Sequence, residues 1–317
     1  MKGYGFGGIS SGLRYYEYEL DSLDSSQSVN QNTSRLNTPL FFVGGKKPIA
    51  DVAAVKIVEA EIPVSFYLFN SRNNQFTITE SGYGSKTVTI PEGNYSYVEM
   101  ITALQTLLSP TGVGTHWTYT VTYSSTTGKF TFATNNTGGG AVTEPFSFTF
   151  GTDTTDRGWT NPRLWLGFPG GVTDSQTFST TTGDVLVAPF VANLAGPNYL
   201  YLCSSKLGNL TNIYLPRGSA FGGNSGPQVA KIPIPVNPGD VVFWQDPDVG
   251  KYFDLENLQS IYDVDFYLTA GTDPTPLDLN GQSFSLKMAM ILYEFDATDI
   301  SHGSVQQSKV LKRLRLT

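Results

Sequence analysis

The sequence predicts a mainly β protein: an antiparallel β-sandwich carrying a small inserted α+β domain. Three observations carry this. Short segments rich in Val, Ile, Thr, Tyr and Phe recur along the chain, divided by Gly-, Pro- and Asn-rich turns. One stretch alone has the three- and four-residue apolar spacing of a helix. Strands do not alternate with helices, as they would in a parallel α/β sheet.

The composition agrees. Of 317 residues, 39% are hydrophobic, 13% aromatic and 15% charged. An average globular protein is about 25% charged, so core material is plentiful and the surface is poor in charge. The length suits one large domain or two modest ones.

Along the chain, residues 1–51 read as an extended N-terminal arm that orders against a partner. Its stretches Gly3 to Gly12 and Ser22 to Asn37 are Gly-rich or Ser/Asn-rich. Tyr15-Tyr16-Glu17-Tyr18 and Phe41-Phe42-Val43 are its anchors, or else they cap the chain's own core. From Val52 a long strand runs to Ile62 and continues through Val64–Phe69, or bends at Pro63 into two. Phe76–Thr79 and Thr87–Ile90 form a candidate hairpin. A helix follows, with Val98, Ile101, Leu104, Leu107 and Leu108 on one face, Ser96 and Glu99 as a capping box, and Pro110 as the stop. Trp117–Tyr123 and Lys129–Phe132 make a second hairpin, and Phe146–Phe150 a further strand. Residues 71–181 thus read as a β-β-α-β-β insertion closing at Pro162–Phe168.

The remaining predicted strands are Val185–Val191, Tyr199–Cys203, Val229–Val236, Val241–Trp244, Val264–Thr269 and Phe284–Phe295. With residues 52–70, the segment 182–297 approaches the eight strands of a jelly roll. Residues 298–317 form a basic tail.

Reactive constellations are scarce. A single cysteine, Cys203, excludes an intrachain disulfide and a multi-cysteine zinc site. It lies in the apolar run Tyr199–Cys203, where a buried, inert thiol is expected. His116 and His302 are the two histidines, too few for the ligand cluster of a β-barrel metalloenzyme. His116, beside Trp117, reads as a surface or packing residue. Asp246-Pro247-Asp248 has the spacing of a calcium loop but lacks the third ligand and the distal Glu. Gly138–Gly140 and Gly222-Gly223 have no following Lys-Ser/Thr and read as loop tips. No catalytic, cofactor or metal site is assigned, and the protein is not expected to be an enzyme. No apolar run approaches the roughly 18–20 residues of a membrane span, and Met1–Phe6 lacks a signal peptide's apolar stretch.

What remains is surface. Trp159, Trp165, Phe168, Phe221 and Trp244 lie in or beside loops and are candidate interface anchors; Trp244, after Val241-Val242-Phe243, reads equally well as core. The net charge is −7, yet Lys309, Lys312, Arg313 and Arg315 give the last 17 residues +4, leaving −11 on residues 1–300. An acidic body does not attract nucleic acid or an anionic membrane over its whole surface; the tail reads as a solubilising end or as a local contact of that kind.

The order of motifs resembles the penton, or vertex capsid, proteins of virophages and polinton-like viruses. The resemblance rests on Val64-Ser65-Phe66-Tyr67-Leu68-Phe69-Asn70, Phe76-Thr77-Ile78, and Val88-Thr89-Ile90-Pro91-Glu92-Gly93-Asn94-Tyr95-Ser96 leading into the helix. The hairpin of Thr120–Ser124 with Gly128–Phe132, then Leu166-Gly167-Phe168, Asp265–Leu268 and Leu277–Gly281 complete it. It implies a single jelly roll with an insertion domain, a homopentamer at each icosahedral vertex of a virion, and major and other minor capsid proteins as neighbours. It brings no catalytic residue and no cofactor. A receptor- or glycan-binding jelly-roll spike is the alternative.

Overall fold

The computed structural model describes residues 13–21, 35–39, 49–134, 145–151, 162–168, 176–180, 184–204, 207, 228–247, 253–261, 263–270 and 276–293. They are mainly β. Strands β1 (Leu13–Asp21), β2 (Arg35–Pro39) and β3 (Ile49–Pro63) come first. Next are β4 (Gln75–Glu80), β5 (Gly84–Thr89), the helix α1 (Tyr97–Leu107), β6 (Tyr119–Ser124), β7 (Lys129–Thr134), β8 (Phe146–Phe150), β9 (Gln176–Ser179) and β10 (Val185–Val187). The chain closes with β11 (Tyr199–Cys203), β12 (Gln228–Pro233), β13 (Val241–Gln245), β14 (Phe253–Ile261), β15 (Asp263–Ala270) and β16 (Ser285–Tyr293). Two compact units divide between Phe66 and Tyr67 and between Gly196 and Pro197.

The first unit holds two antiparallel sheets, in the orders β1-β16-β3-β13, with β14 also on β3, and β12-β11-β15-β2. Alternation explains their faces. Leu286, Met288, Met290 and Leu292 of β16, and Val264, Phe266 and Leu268 of β15, are buried, as the two-residue period of a half-buried strand requires. On the wet face of the larger sheet a polar chain crosses four strands. Glu17 on β1 meets Lys287 on β16 at 3.3 Å, Lys287 lies 3.9 Å from Glu59 on β3, and Gln245 on β13 donates to Glu59 at 2.8 Å. Cross-strand pairs of this kind favour one register. The Tyr15 hydroxyl and Lys287 hold the Glu17 carboxyl below its ordinary range.

In the second unit, sheets β5-β4-β8-β9 and β10-β7-β6 bury alternating aromatics. Phe76, Phe132, Phe148, Phe150 and Phe168 are buried; they meet mostly edge-to-face or tilted, as at 4.8 Å between Phe132 and Phe148, while Phe76 and Phe150 stack at 5.5 Å. Helix α1 starts as expected: Ser96 Oγ accepts from the Glu99 amide, and the Ser96 amide donates to Glu99 Oε2 at 2.8 Å. The expected hairpins form, with Phe76 opposite Val88 and Tyr123 opposite Phe130.

Several expectations are corrected. Residues 13–21 and 35–39, read as part of an arm awaiting a partner, pair with this chain's own β16 and β15. Tyr18 and Leu20 are buried while Glu19 is exposed, so the tyrosine cluster caps the chain's own core. Val64–Phe69 does not continue β3, which ends at Pro63; proline cannot donate to the ladder. The units divide away from the expected boundaries at 70/71 and 181/182. Residues 67–70 belong with the second unit, where Phe69 and Gly93 exchange backbone bonds. Val185–Val187 extends the β6–β7 hairpin instead of a jelly-roll sheet. Strands β9 and β14 have no counterpart among the strands the sequence predicts.

Lys56 is buried on β3 and paired to Asp246 at 3.1 Å. Removing one member of such a pair strands a buried charge. Asp246→Ala is expected to cost roughly 1–3 kcal/mol, discounted because the aspartate is partly exposed, measured as the shift in urea midpoint against the parent protein.

Candidate interaction surface

Among the described residues β13 pairs with β3 along one side and ends its sheet. The run Val241-Val242-Phe243 then sorts by parity. Val242 turns inward and is 2% exposed, while Val241 and Phe243 turn outward and are 58% and 62% exposed. Two large apolar side chains thus stand on an edge strand, next to the polar chain that ends at Gln245. An edge strand offers unpaired backbone groups, and Lys or Pro within it usually blunts it. β13 carries neither.

The second unit has a similar feature. Among the described residues β10 ends its three-stranded sheet. Leu186 is buried, and Val185 and Val187 are exposed. The following Phe190 and Val191 are also exposed, held in place by bonds from the Phe190 amide to the Gly167 carbonyl and from the Ala192 amide to the Gly128 carbonyl. Exposed apolar side chains grouped in this way are candidate contact points.

A third cluster is aromatic. Tyr83 and the exposed His116 stack at 3.6 Å with 10° between their planes, and Trp117 meets Tyr83 edge-on at 5.6 Å. Glu80, buried at the end of β4, organises it. Its carboxylate accepts from the His116 amide at 2.7 Å, the Trp117 amide at 3.1 Å and the Tyr119 hydroxyl at 2.9 Å.

The residues singled out in the sequence fare unevenly. Trp165 and Phe168, expected as exposed anchors, are buried core; Phe168 packs against Phe150 and Phe178. Trp244 is half-buried. Asp246 serves Lys56. Trp159, Phe221, Asp248, His302, Phe41–Val43, Gly138–Gly140, Gly222-Gly223 and the basic Lys309, Lys312, Arg313 and Arg315 lie outside the described residues. Among the described residues no group of His, Cys, Asp and Glu is placed to hold a metal ion, and no helix is long and apolar enough to cross a membrane.

The apolar edges escaped sequence reading because Val241–Trp244 and Val185–Val187 are uniformly apolar, so their parity is silent. The aromatic stack had a signal in Gly82-Tyr83-Gly84, a large ring between two glycines.

No protein-family model and no curated protein matches the chain. Among solved structures it is similar to the selenomethionine-labelled mavirus penton protein, with 12% identity and a TM-score of 0.46 over 89% of this chain and 99% of that one. It is also similar to a chain of the Sputnik virophage structure determined by cryo-EM, with 14% identity and a TM-score of 0.39 over 89% and 98%.

Cys203 is buried, and burial pushes its thiol up to about 11, with Thr269 Oγ1 at 3.7 Å offsetting part of the rise. The folded state therefore keeps a proton that the unfolded chain releases near 9. This contribution is fully present below that pH and is lost as pH rises toward 11. Urea midpoints at rising pH are expected to fall more steeply for the parent than for Cys203→Ala, by about 1–2 kcal/mol between those limits. At neutral pH the native thiol is expected to resist alkylation.

Proposed function

We propose that this protein is a structural capsid protein that forms the homopentameric vertex of an icosahedral DNA-virus particle and contacts the neighbouring major capsid trimers. The observation that carries this reading is the strand order of the first unit. Taken in chain order and counting β13 with β14 as one, its strands lie 1-8-3-6 in one sheet and 2-7-4-5 in the other. That order is the one expected of the double Greek key of a jelly roll and supports reading residues 67–196 as an insertion between its third and fourth strands. On this reading residues 13–21 and 35–39 supply its first two strands, ahead of position 52.

Jelly rolls serve chiefly as capsid proteins, lectin-type binders and cupins. A cupin needs clustered histidines inside the roll. Here one histidine, His116, lies in the second unit and the other, His302, comes in sequence after the last described strand. The motif order set out above favours a vertex protein over a lectin. Val241 and Phe243, exposed on the edge of the roll, supply an apolar patch for a neighbouring copy. A ring needs two different patches per copy, repeated by a rotation that closes.

The test is native mass spectrometry of the purified chain together with localisation in the purified particle. A species of five chains, and density at the fivefold axes, are expected; absence of the chain from the virion would overturn the reading. Phe243→Glu is expected to leave stability within about 0.5 kcal/mol, because the side chain is exposed. The same change is expected to weaken pentamer formation by roughly thirtyfold, the weight of one interface anchor of about 2 kcal/mol.

The basic tail is assigned to the particle interior, facing packaged DNA. Five copies bring Lys309, Lys312, Arg313 and Arg315 together, and contacts of that number with phosphate are strongly salt-dependent. Deleting 303–317 is expected to lower DNA retention as salt is raised; retention equal to the parent at every salt concentration counts against the assignment.

A further inference from the structure

The geometry points to a binding subsite for a neutral saccharide at Tyr83, His116 and Trp117 in the second unit. It stands apart from the vertex reading.

Tyr83 sits at the tip of the β4–β5 hairpin, between Gly82 at φ 84° and Gly84 at φ 86°. A Cβ on either glycine would meet no atom within 4 Å, so the glycines are there for the left-handed backbone and not for space. That backbone presents the phenol ring, which is 52% exposed. The His116 imidazole lies flat against the ring at 3.6 Å, and Trp117 closes its edge. The stack adds little to the core, yet it is held firmly. Glu80, 2% exposed, accepts hydrogen bonds from the His116 and Trp117 amides and from the Tyr119 hydroxyl. Thr115 Oγ1 adds a bond to the Trp117 carbonyl at 2.9 Å. A rigid, wet aromatic platform loses little entropy when a ligand lands on it.

The chemistry of the platform selects the ligand. A flat ring takes a flat apolar face, and a pyranose offers one in its C–H groups, with hydroxyls around the rim. The Tyr83 hydroxyl and the imidazole nitrogens supply polar partners beside the ring. A nucleobase also stacks on aromatics, but single-stranded nucleic acid needs a positive groove for its phosphates. Residues 1–300 carry −11, which disfavours phosphates and acidic sugars alike. A neutral glycan remains.

The experiment uses the full chain. Hexasaccharides of β-1,4-linked N-acetylglucosamine, β-1,4-linked glucose, β-1,3-linked glucose and α-1,6-linked mannose, and neutral lacto-N-neotetraose, are titrated by isothermal calorimetry. At least one is expected to saturate in the micromolar to millimolar range. Tyr83→Ala and Tyr83→Leu are expected to weaken it at least tenfold with an unchanged thermal midpoint, since Leu keeps apolar area but loses the ring face. Tyr83→Phe is expected to stay within about threefold, and Tyr67→Ala, a change at another exposed tyrosine, to have no effect. A sialylated form of lacto-N-neotetraose is expected to bind more weakly than its neutral parent. No saturable binding by any of the five at millimolar concentration overturns the proposal. So does binding that survives Tyr83→Leu, and so does binding confined to a proline-rich control peptide.

Discussion

Strand β3 is the constraint on which the first unit depends. β16 runs along one side of it, and β13 and β14 share the other. Remove β3 and the five-stranded sheet has no centre. Its sequence answers to that position. Residues 52–57 are buried without a break, so alternation gives way to a continuous Val-Ala-Ala-Val run, as expected of a strand covered on both faces. Small Ala53 and Ala54 permit close packing, and Lys56 is tolerated because Asp246 answers its charge. Past Val58 the strand becomes one-sided. Ala60 and Ile62 stay in the core, and Glu59 and Glu61 turn toward water.

The second unit solves the same problem with aromatic rings. Phenylalanines on neighbouring strands interlock edge-to-face, and such pairs contribute about 0.5–1.5 kcal/mol beyond the area they bury. A core of rings is stiff, because each has few rotatable bonds. That stiffness carries outward through Glu80. Its carboxylate is anchored on β4 and reaches the backbone of residues 116 and 117. The loop before β6 is therefore positioned by a buried hydrogen-bonded group, and the exposed rings it bears are a fixed feature of the surface.

How much was readable in advance follows from where the determining information lay. Helix α1 and the β4–β5 and β6–β7 hairpins were legible because their signals are local: a capping box, a turn, a period. β1 was legible in principle. Tyr16, Tyr18 and Leu20 alternate with Glu17 and Glu19, but Gly- and Ser-rich flanks suggested an arm, and only the non-local partner β16 shows otherwise. β14 left no such trace, since its register against β3 breaks twice, between Asp254 and Gln259 and again before Ile261. For the candidate surfaces the obstacle was parity. In Val241–Trp244 every residue is apolar, so nothing local says which side chains face out. Trp165 and Phe168 misled for the opposite reason: flanked by Pro and Gly they read as loop tips, yet a turn is free to bury its rings against a neighbouring sheet.

Low charge links these features. A protein that is 15% charged has few side chains with which to guard its edges. An unguarded strand such as β13, with Val241 and Phe243 outward, invites pairing with other chains, and in a free monomer that is an aggregation hazard. In the proposed vertex the same strand is covered, because each copy's edge meets a different patch on the next and the rotation closes before an open fibre forms. Few charges also mean few groups to strip of water when those patches meet, which lowers the desolvation cost of assembly. On that proposal the feature that makes a lone chain vulnerable is the one that makes the ring favourable, and the proposed closed assembly would account for an edge that a solitary protein blunts with lysine or proline.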